Sequence, residues 1–403
     1  MPCFWRLNRR CNWQKTGGKT CNQRKMIAVI ADDFTGAAEL GGIGLSFGLE
    51  VEMAMSVDSR STADLLVVAT DTRSVSEEVA VQKVTEISEA LAQLKPQLIY
   101  KKIDSVLRGH VVAETLAQLQ VLDMPKALLI PANPALGRTL VNGQYFVNGK
   151  PIHQTHFAND PEFPVTESDV LMRFQDKSDA VFVRTQSEQL PDDGIVIGEV
   201  EKPADLVMWV NRVDQRTLVG GGSGFFSAVL ASQFMPKTGL AKPVRWGKRW
   251  LYVCGSAFGE PVELVKKAAS TGYSVYYLPE QLADFDDQDW VDWVTDLGTS
   301  LQQSKPVLLA IDPIRAQRSD ALQLRTAMGQ AVKAVFGKIL VHELVIEGGS
   351  TASAVLQEIG ITRLIPTEEL ATGVVRSIAI GKVDLHVTVK PGSYRWPTGL
   401  WPF

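Results

Sequence analysis

A chain of 403 residues, 45% hydrophobic and 21% charged, is long enough for two domains with separate cores. No apolar run approaches the roughly 18–20 residues that span a bilayer, and a net charge of −4 leaves no electrostatic footprint for nucleic acid, so neither partner is expected. Four cysteines, three of them within the first 21 residues, do not make a disulfide framework, which fits a reducing, cytoplasmic setting.

Residues 1–25 differ from the rest. They hold seven basic residues and no acid, so from Met26 onward 34 basic residues (41 less those seven) face 45 acidic ones. The segment lacks the apolar stretch of a secretory signal. Cys3, Cys11 and Cys21 match no common zinc spacing. Gly18-Lys19-Thr20 resembles the end of a P-loop, but Trp13 stands where its first Gly belongs. Met26 opens directly into a strand, so 1–25 is expected to be a non-native or disordered basic leader.

The apolar run Ile27–Ala31 ends in two adjacent carboxylates, Asp32 and Asp33, followed by Phe34-Thr35-Gly36 and a small-residue helical pattern. A solvated Asp and an N-cap Thr would explain an ordinary strand-to-helix turn. The same polar groups also sit at the carboxyl edge of a sheet, where open α/β folds bind ligands. Val51–Ser56, Leu65–Thr70, Leu98–Ile103 and Ala127–Pro131 read as buried strands, with helical periodicity over Glu77–Leu94 and His110–Leu122. Asp71-Thr72-Arg73-Ser74 is a second polar strand end. Tyr100–Gly109, YKKIDSVLRG, is a third: Lys102 and Asp104 share one strand face, and Ser105 and Arg108 follow at the exit. Cations, a carboxylate and a hydroxyl grouped there suit an anionic, polyhydroxylated ligand, although a salt-bridged strand exit would look the same. Two Asn-Gly turns in Asn133–Ile152 predict a hairpin excursion. Ala180–Thr185, Gly194–Val200 and Leu206–Val210 read as further strands, and LVGGGSGFF (Leu218–Phe226) as a Gly-rich turn before a helix.

Met235–Lys248 has linker composition. A second alternating block follows: Trp250–Gly255, Glu260–Thr271, Ser274–Leu278, Pro306–Ile311, Asp320–Phe336, His342–Ile346, Thr351–Ile359 and Ile378–Lys382. The expected architecture is therefore α/β: two α/β lobes with mostly parallel sheets and an interdomain cleft, one lobe over 26–234, a linker over 235–248 and a second lobe over 249–403. Three Gly-rich turns stand in the second lobe: Gly255-Ser256, Gly348-Gly349-Ser350-Thr351 and Lys390-Pro391-Gly392. Gly with Ser or Thr at a helix start presents unpaired N–H groups that suit phosphate. No P-loop or dinucleotide fingerprint follows a strand, and no His or Cys cluster points to a metal site, so any metal ligands stay unassigned.

Taken together, these motifs resemble the four-carbon acid sugar kinases. ADDFTGA stands at Ala31–Ala37, and KxDSxxRG at Lys102–Gly109 with Val106 where Thr is usual. GGxT stands at Gly348–Thr351 with Ser350 where Glu is common, and K-x-G at Lys390–Gly392. The resemblance implies ATP-dependent phosphorylation of the terminal hydroxyl of a C4 acid such as threonate, erythronate or an oxo-tetronate, with Mg²⁺ bridging the ATP phosphates. It places the acid on Asp33, Arg73, Lys102, Ile103, Asp104, Ser105 and Arg108. It places ATP on Ser256, Gly348, Gly349, Ser350, Thr351, Gly373 and Gly392. Ala257-Phe258-Gly259 replaces a stretch often richer in Ser and Thr, and KPGSYRWP replaces the commoner K-S-G-x-F-G.

On this reading Arg73 and Lys102-Ile103-Asp104-Ser105 hold the acid's carboxylate, and Asp33 orients or deprotonates the attacking hydroxyl, with Asp32 as the alternative. The expected partners are a small sugar acid and ATP; a homo-oligomer is compatible with the sequence. A non-catalytic sugar-acid sensor with a degenerate nucleotide lobe and a nicotinamide-dependent reductase are the competing readings. The intact GGST turn counts against the first, and the missing dinucleotide fingerprint against the second.

Overall fold

The computed structural model describes residues 26–160, 162–237, 244–256, 260–279, 288–303, 305–316, 320–392, 394–397 and 399–400. The basic leader, the middle of the expected linker, Ala257-Phe258-Gly259 and Ser393 lie outside these residues.

The first half alternates as expected through β1 (Ile27–Ala31), α1 (Phe34–Ser46), β2 (Val51–Ala54), β3 (Leu65–Ala69), α2 (Glu77–Gln93), β4 (Leu98–Lys102), α3 (Val111–Leu122) and β5 (Lys126–Ile130). The excursion is a small antiparallel sheet of β6 (Arg138–Val141), β7 (Gln144–Val147) and β8 (Lys150–Pro151). Asn142-Gly143 and Asn148-Gly149 take positive φ at both central positions, as tight primed turns require. The N-terminal lobe closes with α4 (Val170–Arg173), β9 (Val181–Arg184), β10 (Gly194–Gly198), α5 (Pro203–Val210), β11 (Thr217–Gly221) and α6 (Ser223–Ala231).

The C-terminal lobe opens with β12 (Trp250–Cys254), α7 (Glu260–Ser270), β13 (Ser274–Tyr277), α8 (Gln288–Gln302), β14 (Val307–Ala310), α9 (Pro313–Ala316) and α10 (Ala321–Lys338). It continues through β15 (Glu343–Glu347), α11 (Gly349–Glu358), β16 (Arg363–Ala371), β17 (Val374–Ala379) and β18 (His386–Lys390). No described helix is long and apolar enough to cross a membrane.

The strands of both lobes join in one 15-stranded sheet, ordered β13-β14-β12-β15-β18-β17-β16-β2-β3-β1-β4-β11-β5-β10-β9. Pairing is parallel on either side and antiparallel only where β2 meets β16, β16 meets β17 and β17 meets β18. The junction is thin, since only Arg363 and Leu364 of β16 pair with Ala54 and Met53. β16 also carries two register shifts, and such irregularities bend a strand. Three antiparallel pairings in succession make the two parallel sets run in opposite directions. IAVIA of β1 lies at the heart of the N-terminal set, at most 1% exposed, because it is covered on both faces.

Leu206–Val210 is the second half of α5, not a strand. Pro203 starts the helix, and the Asp205 carboxylate accepts N–H bonds from Glu201 and Lys202 at 2.9 and 3.0 Å. Trp209 is buried while Val207 and Met208 face out, a helical and not an alternating pattern. The strand expected at Ile378–Lys382 runs instead from Val374 to Ala379, after which the chain turns. α4, α8, α9, β16 and β18 had no counterpart in the sequence reading, and the first part of the Gly-rich turn expected at Leu218–Phe226 is strand β11.

Candidate functional site

Asp33, not Thr35 as in the ordinary-turn alternative, is the N-cap of α1. Its Oδ1 accepts the Gly36 N–H at 2.9 Å, and its Oδ2 accepts the Thr35 hydroxyl. Arg73, just past β3, donates through Nε and Nη2 to Asp32 Oδ2, both at 2.8 Å, and through Nη2 to Asp33 Oδ1 at 3.0 Å. Its Nη1 lies 3.6 Å from Asp104 Oδ1. Asp104 accepts the Val106 and Arg108 backbone N–H groups at 3.2 and 3.1 Å. It also takes a two-pronged bond from the Arg108 guanidinium, both prongs 2.9 Å. Three strand ends thus converge on one ionic network at the carboxyl edge of β1, β3 and β4.

The network separates the two N-terminal aspartates. Burial raises Asp32 to about 6, and Arg73 offsets only part of that; its Oδ1 is buried without a hydrogen bond among the described residues. Burial acts on Asp33 in the same sense, but Arg73, Lys102 and the Thr35 hydroxyl outweigh it and hold the carboxyl below its usual range. Asp104 is buried too, yet Arg108 and Arg73 hold it well below that range.

A cavity of about 70 Å³ opens beside this network. Asp33, Arg73, Lys102, Asp104, Ser105 and Arg108 all line it, as the sequence motifs imply. Asp32 does not, and the Ile103 side chain packs into the hydrophobic core, only its carbonyl meeting Lys102 Nζ at 2.9 Å. Thr35, Gly36 and Pro391 also line it from within the quoted motifs, and Glu39, Arg138, Phe157 and Tyr394 line it from outside the expected site residues. The Tyr394 hydroxyl donates to Glu39 Oε1 at 3.1 Å, so the C-terminal segment forms one wall. Glu39 could have been suspected, being an acid in a small-residue helix four positions after Thr35. The other three are far away in sequence.

The glycine turns of the C-terminal lobe follow β12, β15 and β18. Gly348 has φ +97°, a conformation glycine adopts without cost, and caps α11 without a side-chain bond. The first N–H groups of α11 therefore meet no capping side chain among the described residues, which suits a phosphate. A Cβ on Gly255 would sit 1.8 Å from Thr351 Oγ1, so the Gly255-Ser256 turn rests on the same helix start. Lys390 bonds Glu347 Oε1 at 2.6 Å and its carbonyl accepts the Gly348 N–H at 2.9 Å, tying the third turn to the second. Gly373 packs on the Tyr394 ring, and a Cβ on Gly392 would meet nothing within 4 Å among the described residues. Of the three turns only the third reaches the cavity, through Pro391, but a Cβ on Gly349 would lie 3.1 Å from Asp33 Oδ2 and 3.2 Å from Thr35 N. The two helix starts, one from each lobe, face each other at that distance.

Residues 27–229 match the family model for a sugar-binding N-terminal domain, and residues 265–394 that for a nucleotide-binding C-terminal domain. The chain belongs to the four-carbon acid sugar kinase family. It is 27% identical to the 3-oxo-tetronate kinase of Brucella melitensis over 91% of this chain and 92% of that one. The D-threonate kinase of Salmonella typhimurium is 37% identical over 36% of this chain and 34% of its own length. The D-erythronate kinase of Heliobacterium modesticaldum is 28% identical over 62% of each. The chain thus spans about a third and under two thirds of these last two relatives. The fold is shared with a Haemophilus influenzae protein of the DUF1537 family (TM-score 0.68, 21% identity, 91% and 96% coverage). It is shared also with a Salmonella typhimurium protein (TM-score 0.74, 18% identity, 92% and 96% coverage).

Proposed function

We propose that the protein is an ATP-dependent kinase that phosphorylates the terminal hydroxyl of a four-carbon sugar acid. The observation that carries this reading is the apposition of the α11 start to Asp33: a phosphate held by one would meet a hydroxyl held by the other. Residues 26–234 bind the acid in the cavity at the carboxyl edge of β1, β3 and β4. Residues 249–403 bind ATP on the turns at Ser256, Gly348–Thr351 and Gly392, with Gly373 behind them.

Phosphoryl transfer depends on positioning and charge neutralisation more than on covalent chemistry. Asp33 is held in its ionised form and accepts the acceptor hydroxyl's hydrogen bond, aiming its oxygen at the terminal phosphate. Arg73 keeps Asp32 and Asp33 at fixed spacing, and Asp104 locks the loop that presents Ser105 and Arg108. Glu39 and Tyr394 close the cavity from the side of the C-terminal lobe and exclude water. The uncapped N–H groups of α11 fit a polyphosphate. Among the described residues no group of three or more His, Cys, Asp or Glu could hold a metal ion. Mg²⁺ would therefore take most of its ligands from ATP and water and at most one or two from Asp33 and its neighbours, supplying charge neutralisation. The protein is expected to act without a nucleic-acid or membrane partner.

The decisive assay is ADP release in the presence of Mg²⁺ and ATP across threonate, erythronate and the 2- and 3-oxo-tetronates. Acid-dependent turnover with a phosphorylated acid as product is expected for at least one. Binding of an acid without ATP binding or turnover would favour the sensor reading instead.

A further inference from the structure

Four cations reach the cavity, and their partners divide them in two. Arg73 is shared by Asp32, Asp33 and Asp104, and Arg108 by Asp104 and Asp160. The protein's own carboxylates compensate both charges. Lys102 and Arg138 make no close ion pair among the described residues, although the Lys102 charge still acts on Asp32, Asp33 and Asp104. Lys102 Nζ donates to the Ile103 carbonyl at 2.9 Å. Arg138 Nη1 donates to the Ser105 hydroxyl, and the guanidinium carbon lies 5.9 Å from the Phe157 ring centroid. A guanidinium offers five N–H donors in a planar fork, and here a neutral hydroxyl occupies one.

Arg138 is not a loose surface residue. It opens β6 directly after Gly137, whose φ of +67° suits glycine and whose carbonyl accepts the Asn148 N–H at 2.7 Å. The Arg138 N–H donates to the Asn133 carbonyl at 3.0 Å. Two residues on, Leu140 exchanges backbone bonds of 2.9 and 3.0 Å with Val200, pinning the excursion to the body of the lobe. The Tyr145 hydroxyl from the same small sheet donates to the Ser105 carbonyl. The excursion therefore holds a preformed, uncompensated fork beside Lys102 and Ser105.

We infer that Arg138, together with Lys102, seats the substrate's carboxylate, and that the 133–157 excursion selects acids over neutral polyols of the same length. The inference rests on the sugar-acid reading and narrows it. The carboxylate goes first to Arg138, the fork that no carboxylate pairs among the described residues, with Lys102, whose charge also acts on Asp33, beside it, and not to Arg73, which acts by positioning Asp32 and Asp33. The substrate would then lie with its acid end under the excursion and its far hydroxyl toward Asp33 and α11.

The test compares wild type, Arg138→Gln and Arg138→Lys on D-threonate and D-erythronate against threitol and erythritol, which lack the carboxylate. Arg138→Gln should lower kcat/KM for the acids at least tenfold, mainly through KM, while leaving the KM for ATP and the turnover of the polyols within about twofold. Arg138→Lys should recover part of the loss, since it restores the charge but not the fork. Equal losses on acids and polyols would show a structural role and overturn the inference, as would unchanged kinetics on the acids. Calorimetric titration of each variant with D-threonate alone reads the same contrast without turnover, and equal affinity for wild type and Arg138→Gln would overturn it. Wild type that consumes no ATP with any acid would defeat the kinase reading separately.

Discussion

Asp33 and Asp32 are neighbours with opposite electrostatic fates, and each makes a separate prediction. A carboxylate held below its usual range by Arg73 and Lys102 is a strong hydrogen-bond acceptor at neutral pH. Asn can replace Asp33 as an N-cap, so Asp33→Asn should fold. It should lower kcat by about 10²–10⁴-fold with little change in either KM; steady-state kinetics showing near-normal kcat would remove Asp33 from the reacting centre. Asp32, raised to about 6 by burial, binds more protons in the folded than in the unfolded chain between about pH 4 and 6. Its contribution to stability is therefore present in acid and is lost as pH rises through about 6, amounting to roughly 3 kcal/mol. The melting temperature of Asp32→Asn relative to wild type should accordingly rise between pH 4 and 7; a constant difference would mean that Asp32 titrates normally. At this scale the sequence was informative wherever an apolar run ended in charge. It was silent on Arg138, Phe157 and Tyr394, because only tertiary packing brings them to Lys102 and Asp33.

The site is an arrangement of element ends, and glycines decide how closely those ends approach. Gly255 has the least room, since any Cβ there would strike Thr351 at 1.8 Å, and Thr351 lies in the first turn of α11. Gly255→Ala is expected to displace that turn and raise the KM for ATP at least tenfold. Acid binding in the cavity, formed mainly by the other lobe, should change less than threefold. Equal damage to both ligands, measured by calorimetry, would contradict the division of labour between lobes. Strand-to-glycine-to-helix steps of this kind were legible because an apolar run, a Gly and a polar cap follow one another within a few residues. α5 was misread because a five-residue apolar run does not distinguish strand from helix. Pro203 and Asp205 carried the deciding signal just upstream of it. β16 was hidden for a related reason: Pro366 and the register shifts break the alternation that marks a strand.

At the scale of the whole molecule, the lobes share more than a linker. Arg363 of β16 bonds Glu52 of β2 at 2.8 Å and Asp58 at 3.1 Å, across the junction of the sheet. α1 packs its glycine face on the C-terminal strands, where a Cβ on Gly42 would lie 2.9 Å from Val375 Cγ2 and one on Gly41 3.4 Å from Pro366 Cγ. The same helix carries Asp33 at its start and Glu39 bonded to Tyr394, so the element that opens onto the cavity also packs against the C-terminal lobe. The alternation along the chain suggested two independent sheets; the joining hairpin of β16 and β17 could not be read from it, since β2 and β16 are some 300 residues apart and pair at only two positions. Separating the lobes would expose the β2 edge and the glycine face of α1 together, both costly in water. Thermal unfolding followed by calorimetry should therefore give one cooperative transition. A non-hydrolysable ATP analogue and a four-carbon acid, which the proposed function assigns to different lobes, should each shift that whole transition upward, because a ligand that binds only the folded state stabilises everything that unfolds with it. Two resolved transitions, each moved by one ligand alone, would mean that the lobes fold separately and that the shared sheet contributes little to their coupling.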